Sequence, residues 1–124
     1  MALTRYAAVG IAATAAHYAL LILLVEAMGV GPGWGAWTGA LVGALVAFEG
    51  NRRWTFPGTP VSRGQSFARF MAVAAAGSVA NGLIVGAGTS WLGVHYLVAQ
   101  VVATGVVMVV TYHVNRWWTF QLTP

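Results

Sequence analysis

One hexapeptide occurs twice in this chain. Asn51-Arg52-Arg53-Trp54-Thr55-Phe56 returns as Asn115-Arg116-Trp117-Trp118-Thr119-Phe120, 64 residues further on. Laying the first half on the second with that shift needs no gap. Arg5 falls on Arg69, Tyr6 on Phe70, Ala8 on Ala72, Ala12 on Ala76, Ala16 on Ala80, and Gly29-Val30 on Gly93-Val94. A fixed internal period means one supersecondary unit used repeatedly. Whatever the first half folds into, the second half therefore folds into as well.

Composition decides the solvent. Of 124 residues, six are Arg, two are Glu and none is Lys or Asp, while 59% are hydrophobic. Soluble domains carry roughly a quarter charged residues, so the medium around most of this chain is lipid. The first apolar run, Tyr6 to Met28, is 23 residues with Glu26 its one charge. At about 1.5 Å per residue it reaches roughly 34 Å, enough for a hydrocarbon core. It is too long for the apolar region of a cleaved signal peptide, and the repeat includes it, so a retained helix is expected. Gly29 to Gly33 reads as a turn, and a second span runs from Trp34 to about Arg53, with Arg52 and Arg53 snorkelling. Pro57 to Gln65, rich in Pro and Gly, breaks the helix. Ser66 is the expected N-cap of a third span, Phe70 to Leu92. Gly93-Val94-His95 turns the chain into a fourth, Tyr96 to His113, and four residues follow Phe120.

The expected fold is thus all-α: a polytopic membrane protein whose four transmembrane helices form two parallel two-helix repeats. Repeat 1 covers 5–56, the linker 57–68 and repeat 2 69–120, within a single transmembrane domain. Two helices per repeat return the chain to its starting side, so the repeats are related by an axis along the membrane normal. Arg5, Arg52, Arg53, Arg63, Arg69 and Arg116 all flank one side, and the turns around Gly31 and His95 contain none. Positive charge concentrates on the cytoplasmic side, which is where both termini and the linker are expected. Trp34, Trp37, Trp54, Trp91, Trp117 and Trp118 all fall at span ends, as in an interfacial belt.

Between helices in lipid, small residues permit the close backbone approach that hydrophobicity cannot drive. Such ridges run along Gly31, Gly35, Gly39, Gly43 and Ala47, along Ala74, Ser78, Gly82, Gly86 and Ser90, and along Ala8, Ala12 and Ala16. The spacing leaves open whether these contacts lie within one chain or between copies. Because four helices enclose little volume, a homo-oligomer is expected.

The repeated motif has two readings. As an anchor, its Arg snorkels and its Trp sits among headgroups. As a site, Arg52 and Arg116, with Arg53 beside them, clamp a phosphate, because guanidinium matches phosphate oxygens bidentately. Asn51 and Asn115 would then orient the Arg or bond the ligand, and Trp54 and Trp118 would complete the headgroup site. Glu49 stands one turn before Arg52 and Arg53, as a helical ion pair or as a gate. Its repeat partner is His113. His17 and its repeat partner Asn81 lie at mid-span, as an interhelical hydrogen bond or as a polar rung. Gln100, Thr104, Thr111 and Asn115 share one stripe of the fourth span.

Several chemistries are excluded or unsupported. Without Cys there is neither a disulfide nor a thiolate metal site. The His and Glu residues show no metal spacing, and no phosphate-binding Gly-Lys loop is present. No Ser, His and carboxylate form a triad-like order. No cofactor, metal or catalytic residue is expected, nor an enzyme. The Arg residues occur only as membrane flanks, which argues against nucleic acid as a partner.

Four short spans, two copies, an Arg-Tyr or Arg-Phe opening each copy, and Arg-x-Trp-Thr-Phe closing each together resemble the GtrA-like family, from Arg5 to Phe120. The resemblance implies a small multi-pass protein of the bacterial cytoplasmic membrane in cell-surface polysaccharide synthesis. It implies a flippase for a polyprenyl-phosphate-linked sugar, with membrane lipid and a glycosyltransferase as further partners. Asn51, Arg52, Trp54, Asn115, Arg116 and Trp118 match the family motif, and Trp117 departs from it where the first copy has Arg53. Two alternatives are a non-transporting anchor that recruits a glycosyltransferase and a small multidrug exporter. Against the exporter, Glu26 is peripheral and the charge bias is one-sided.

Overall fold

The computed structural model describes residues 1–122, so the last two residues of the expected four-residue tail lie outside it. The described residues form helices and turns, with no strand among them. The chain divides into two compact units, Met1–Gly58 and Thr59–Pro124, each a helical hairpin.

In hairpin 1, α1 (Ala2–Ile22) ends in a wider π-turn, Leu23–Ala27, and α2 (Pro32–Gly50) ends in another, Asn51–Thr55. In hairpin 2, α3 (Arg63–Ser90) is followed by α4 (Tyr96–Val114) and the π-turn Asn115–Thr119. The two connecting turns are built alike. Gly29 has φ +68° and Gly93 has φ +64°, a left-handed conformation that costs a glycine little. The next amide then reaches back to a helix carbonyl, Val30 N to Leu24 O at 2.9 Å and Val94 N to Gly88 O at 3.0 Å. Pro32 starts α2, where its missing N–H has no intrahelical use.

Ala2–Ala27, Arg63–Ser90 and Tyr96–Thr119 are each long and apolar enough to cross a membrane. Their 24 to 28 residues reach about 36–42 Å at about 1.5 Å per residue. The expected second span differs: α2 has the length but is diluted by Pro32, Trp34, Trp37 and several glycines. It packs along α1 instead of presenting a uniformly apolar surface. Outward residues are hydrocarbon-like, with Ile11 73%, Leu83 68% and Val101 73% exposed, as expected where lipid is the solvent.

Three expectations about boundaries and packing need correction. The third span starts at Arg63, inside the expected linker 57–68. Ser62, not Ser66, is its N-cap, accepting from Gln65 N at 3.3 Å. Ser66 is buried one turn inside, donating to Arg63 O. The ridge Ala74, Ser78, Gly82, Gly86 and Ser90 is exposed, and a Cβ on Gly82 or Gly86 would meet nothing within 4 Å. The α3 row that meets α4 includes Gly77 and Gly88 instead. Likewise, α1 meets α2 through Val9, Ala13, His17 and Leu21, one residue off the Ala8–Ala12–Ala16 row. A period of four identifies a row of small residues but not whether it faces protein or lipid.

The glycine ridge on α2 is used inside the chain. A Cβ added to Gly39 would lie 2.7 Å from His17 O, and one on Gly43 3.0 Å from Ala13 O. The helices of hairpin 1 therefore meet backbone to backbone, which only glycine permits. Gly31, the first residue of the expected ridge, faces open space.

Candidate functional site

The largest fully buried side chains, Phe56, Phe120, Asn115, Thr119 and Ser66, lie at the terminal ends of the hairpins, away from the turns. There the repeated motif ends the second helix in a π-turn. Phe56 N donates to Asn51 O at 2.7 Å, and Phe120 N donates to Asn115 O at 2.9 Å. Each turn is held by the same side-chain bond, Thr55 Oγ1 to Asn51 Oδ1 and Thr119 Oγ1 to Asn115 Oδ1, both 2.8 Å. All four residues are buried. Phe56 and Phe120 plug the turns from below and are 1% and 0% exposed. They meet Tyr6 and Phe70, respectively, at ring-centroid distances of 6.2 and 6.4 Å.

The Asn and Thr of the motif are therefore structural to the turn. They satisfy each other and fix the direction in which the Arg and Trp between them project. Inserting an extra residue into a helical turn rotates the residues beyond it, and such π-turns concentrate at functional sites. Thr55 and Thr119 have no place in the site read from the sequence, although they recur in the repeat. A Thr four residues after an Asn is the signal that marks them.

The first helix of each hairpin supplies another cation. Arg5 donates to Trp54 O at 3.3 Å and lies 5.7 Å from the centroid of the Trp54 ring. Arg69 donates to Trp118 O at 2.9 Å and lies 5.3 Å from the Trp118 ring. Stacked on indole and tied to its carbonyl, each guanidinium is placed rather than free to sweep the surface. Charge pattern alone marks Arg5 and Arg69 only as membrane flanks. Their superposition in the repeat, one Arg on the other, is the sequence signal for the shared role.

The motif cations differ between hairpins. Arg53 pairs with Glu49 at 2.9 Å, its side chain 77% exposed. An ion pair this open is screened and contributes little. In hairpin 2 the same two positions hold Trp117 and His113. Arg116 donates to Tyr112 Oη at 3.1 Å and lies 5.1 Å from the Trp117 ring. Its Nε is buried without a hydrogen-bond partner among the described residues. His113 is exposed and meets the Tyr112 ring edge-on. Arg52, partly buried, projects from the π-turn of hairpin 1.

Residues 5–120 match the family described as GtrA/DPMS, transmembrane domain. The chain belongs to this family. It is an all-α, multi-pass membrane protein of glycan synthesis, in keeping with the sequence resemblance. A search of curated proteins finds no match. The match to the GtrA/DPMS family begins at the first placed Arg and ends at the second Phe plug, so it takes in both π-turn sites whole.

The mid-span polar residues of this GtrA/DPMS domain do not form equivalent rungs. In hairpin 2, Asn81 and Gln100 exchange hydrogen bonds at 2.9 and 3.4 Å, and Gln100 also donates to Thr104 at 3.0 Å. In hairpin 1, His17 packs on Gly39 and Gly43, and its Nε2 is buried with no hydrogen-bond partner among the described residues. The expected stripe on α4 divides accordingly. Gln100 and Thr104 join Asn81, Thr111 turns its hydroxyl to Met108 O, and Asn115 belongs to the π-turn. Among the described residues no group of His, Asp or Glu could hold a metal ion.

Proposed function

We propose that this protein moves a polyprenyl-phosphate-linked sugar across the bacterial cytoplasmic membrane, for use by a glycosyltransferase on the far side. Arg52 and Arg116, presented by the π-turns, capture the phosphate on the cytoplasmic side, where both termini lie. Arg5 and Arg69 hold the neighbouring Trp and add positive potential. The cargo has an apolar tail and an anionic head. A carrier for it needs a placed cation at the membrane surface and apolar helix faces below, and both hairpins offer that combination. No bond is made or broken in this process, so the protein acts as a translocase and not as an enzyme.

The observation that carries the reading is the twice-built turn, in which buried Asn and Thr fix the projection of Arg. An anchor that merely snorkels has no need of a buried polar staple beneath its Arg. The test is translocation of a defined polyprenyl-phosphate sugar in vesicles containing the purified protein. Arg52→Ala and Arg116→Ala are each expected to slow translocation about tenfold or more, the loss of one charge-assisted phosphate contact, with helix content unchanged. Wild-type rates in both variants would discard the proposed phosphate site.

A further inference from the structure

The two hairpins differ in one respect that the repeat makes visible. Gly35, Gly39, Gly43 and Gly50 of α2 correspond to Ala99, Ala103, Val107 and Val114 of α4. In hairpin 1 the glycines bring the helices into backbone contact. A Cβ on Gly50 would come within 2.8 Å of the Val9 side chain, just as those on Gly39 and Gly43 would meet α1 backbone. In hairpin 2, side chains stand at those positions. A groove of about 250 Å³ runs between α3 and α4, lined by Val73, Ala76, Gly77, Ala80, Val107 and Val110 among others. Its one polar lining residue, Thr111, has its hydroxyl bonded to Met108 O. The groove opens sideways, since Ala76, Val106 and Val110 are exposed or half-buried along it.

We infer that this groove seats the polyprenyl chain of the lipid substrate, so that hairpin 2 holds the chain, while hairpin 1, its helices in backbone contact, offers only the phosphate contact of Arg52. The inference rests on the function proposed above and assigns the apolar chain of that function's substrate to one half of the protein. Three observations favour this occupant. First, charge lies at the terminal end of the groove. Arg69 precedes Val73 by one helical turn on the same face, and Arg116 follows Val114 by two residues. Arg116 is held at that end by Tyr112 Oη and the Trp117 ring. Second, the volume suits one chain. At ~30 Å³ per water-sized or methylene-sized group it holds about eight. A polyprenyl phosphate has a single chain below its phosphate, whereas a diacyl phospholipid has two. Third, the α3 wall carries small residues, Ala76, Gly77 and Ala80, opposite branched Val107 and Val110 on α4, which leaves notches for methyl branches. Because lipid already surrounds the helices, the attraction is contact with groove atoms that a straight chain would leave unmet.

The experiment uses the full chain in nanodiscs and a polyprenyl phosphate carrying a photoreactive diazirine on its second isoprene unit. Labelled positions are mapped by mass spectrometry. Labelling is expected on α3 and α4 around Ala76, Ala80 and Val110, with displacement by unlabelled polyprenyl phosphate and not by phosphatidylglycerol at equal mole fraction. Ala76→Phe, which places a ring in the groove, is expected to lower labelling about tenfold. Leu83→Phe, on an exposed position outside the groove lining, is expected to leave it unchanged. Should Ala76→Phe not fold, as judged by circular dichroism, Ala80→Phe takes its place. Equal labelling of both hairpins, equal displacement by phosphatidylglycerol, or full labelling of a folded groove-filled variant would each overturn the inference. Failure of the wild-type protein to translocate would instead remove the proposed function, and the labelling map would still report whether the groove is occupied.

Discussion

Gly39→Ala isolates the close contact that defines hairpin 1. A methyl group there would lie 2.7 Å from both His17 O and His17 Cδ2. The ring can rotate away, but the carbonyl is part of α1 and moves only with the helix. Overpacking of this kind costs about 1–3 kcal/mol, and a backbone obstacle places it at about 3. Ala also gains about 1 kcal/mol of helix propensity over Gly, leaving a net loss of about 2. Gly82→Ala is the matched control, because its methyl would meet nothing within 4 Å and only the gain of about 1 kcal/mol applies. The two variants should therefore differ by about 3 kcal/mol, roughly a hundredfold in the unfolding equilibrium. Reversible unfolding in mixed micelles, followed by Trp fluorescence and circular dichroism, measures the difference. If Gly39→Ala proves as stable as Gly82→Ala, the backbone contact between α1 and α2 does not exist as described.

Thr119→Val removes the bond to buried Asn115 that staples the second π-turn. A loss of about 1–2 kcal/mol is expected, with slower translocation at a temperature where the variant remains folded, and Thr119→Ser is expected to restore both. Glu49→Gln breaks an exposed ion pair, so stability should change by less than about 1 kcal/mol. A larger change in micelle unfolding would mean that the pair is buried by something beyond this chain. Asn81→Ala removes the interhelical exchange with Gln100 but leaves the bond from Gln100 to Thr104. A loss of about 0.6 kcal/mol, typical of such bonds in membranes, is expected in the same assay.

Much of the fold is legible in the chain because lipid imposes simple rules. Apolar length marks helices, glycine marks turns, and the 64-residue shift links the opening Arg, the turn and the closing motif of one hairpin to those of the other. The Glu49–Arg53 pair follows from spacing alone. Less legible is the face each helix presents. The Ala74-to-Ser90 ridge and the Gly35-to-Gly43 ridge have the same four-residue period, yet one is exposed and the other meets α1. Small size permits close approach without compelling it, and the outcome depends on the partner helix.

The sequence by itself determined that this is a doubled helical hairpin for a membrane, with its cations gathered at the hairpin ends, because those properties depend on local composition and on order along the chain. Tertiary structure decided what the repeated motif is made of. It buried the Asn51–Thr55 and Asn115–Thr119 staples, seated Arg5 and Arg69 on Trp54 and Trp118 across 49 residues, and separated a hairpin in backbone contact from a grooved one. Those outcomes depend on which surfaces meet, and the rotation of one helix against another is fixed only when both are packed.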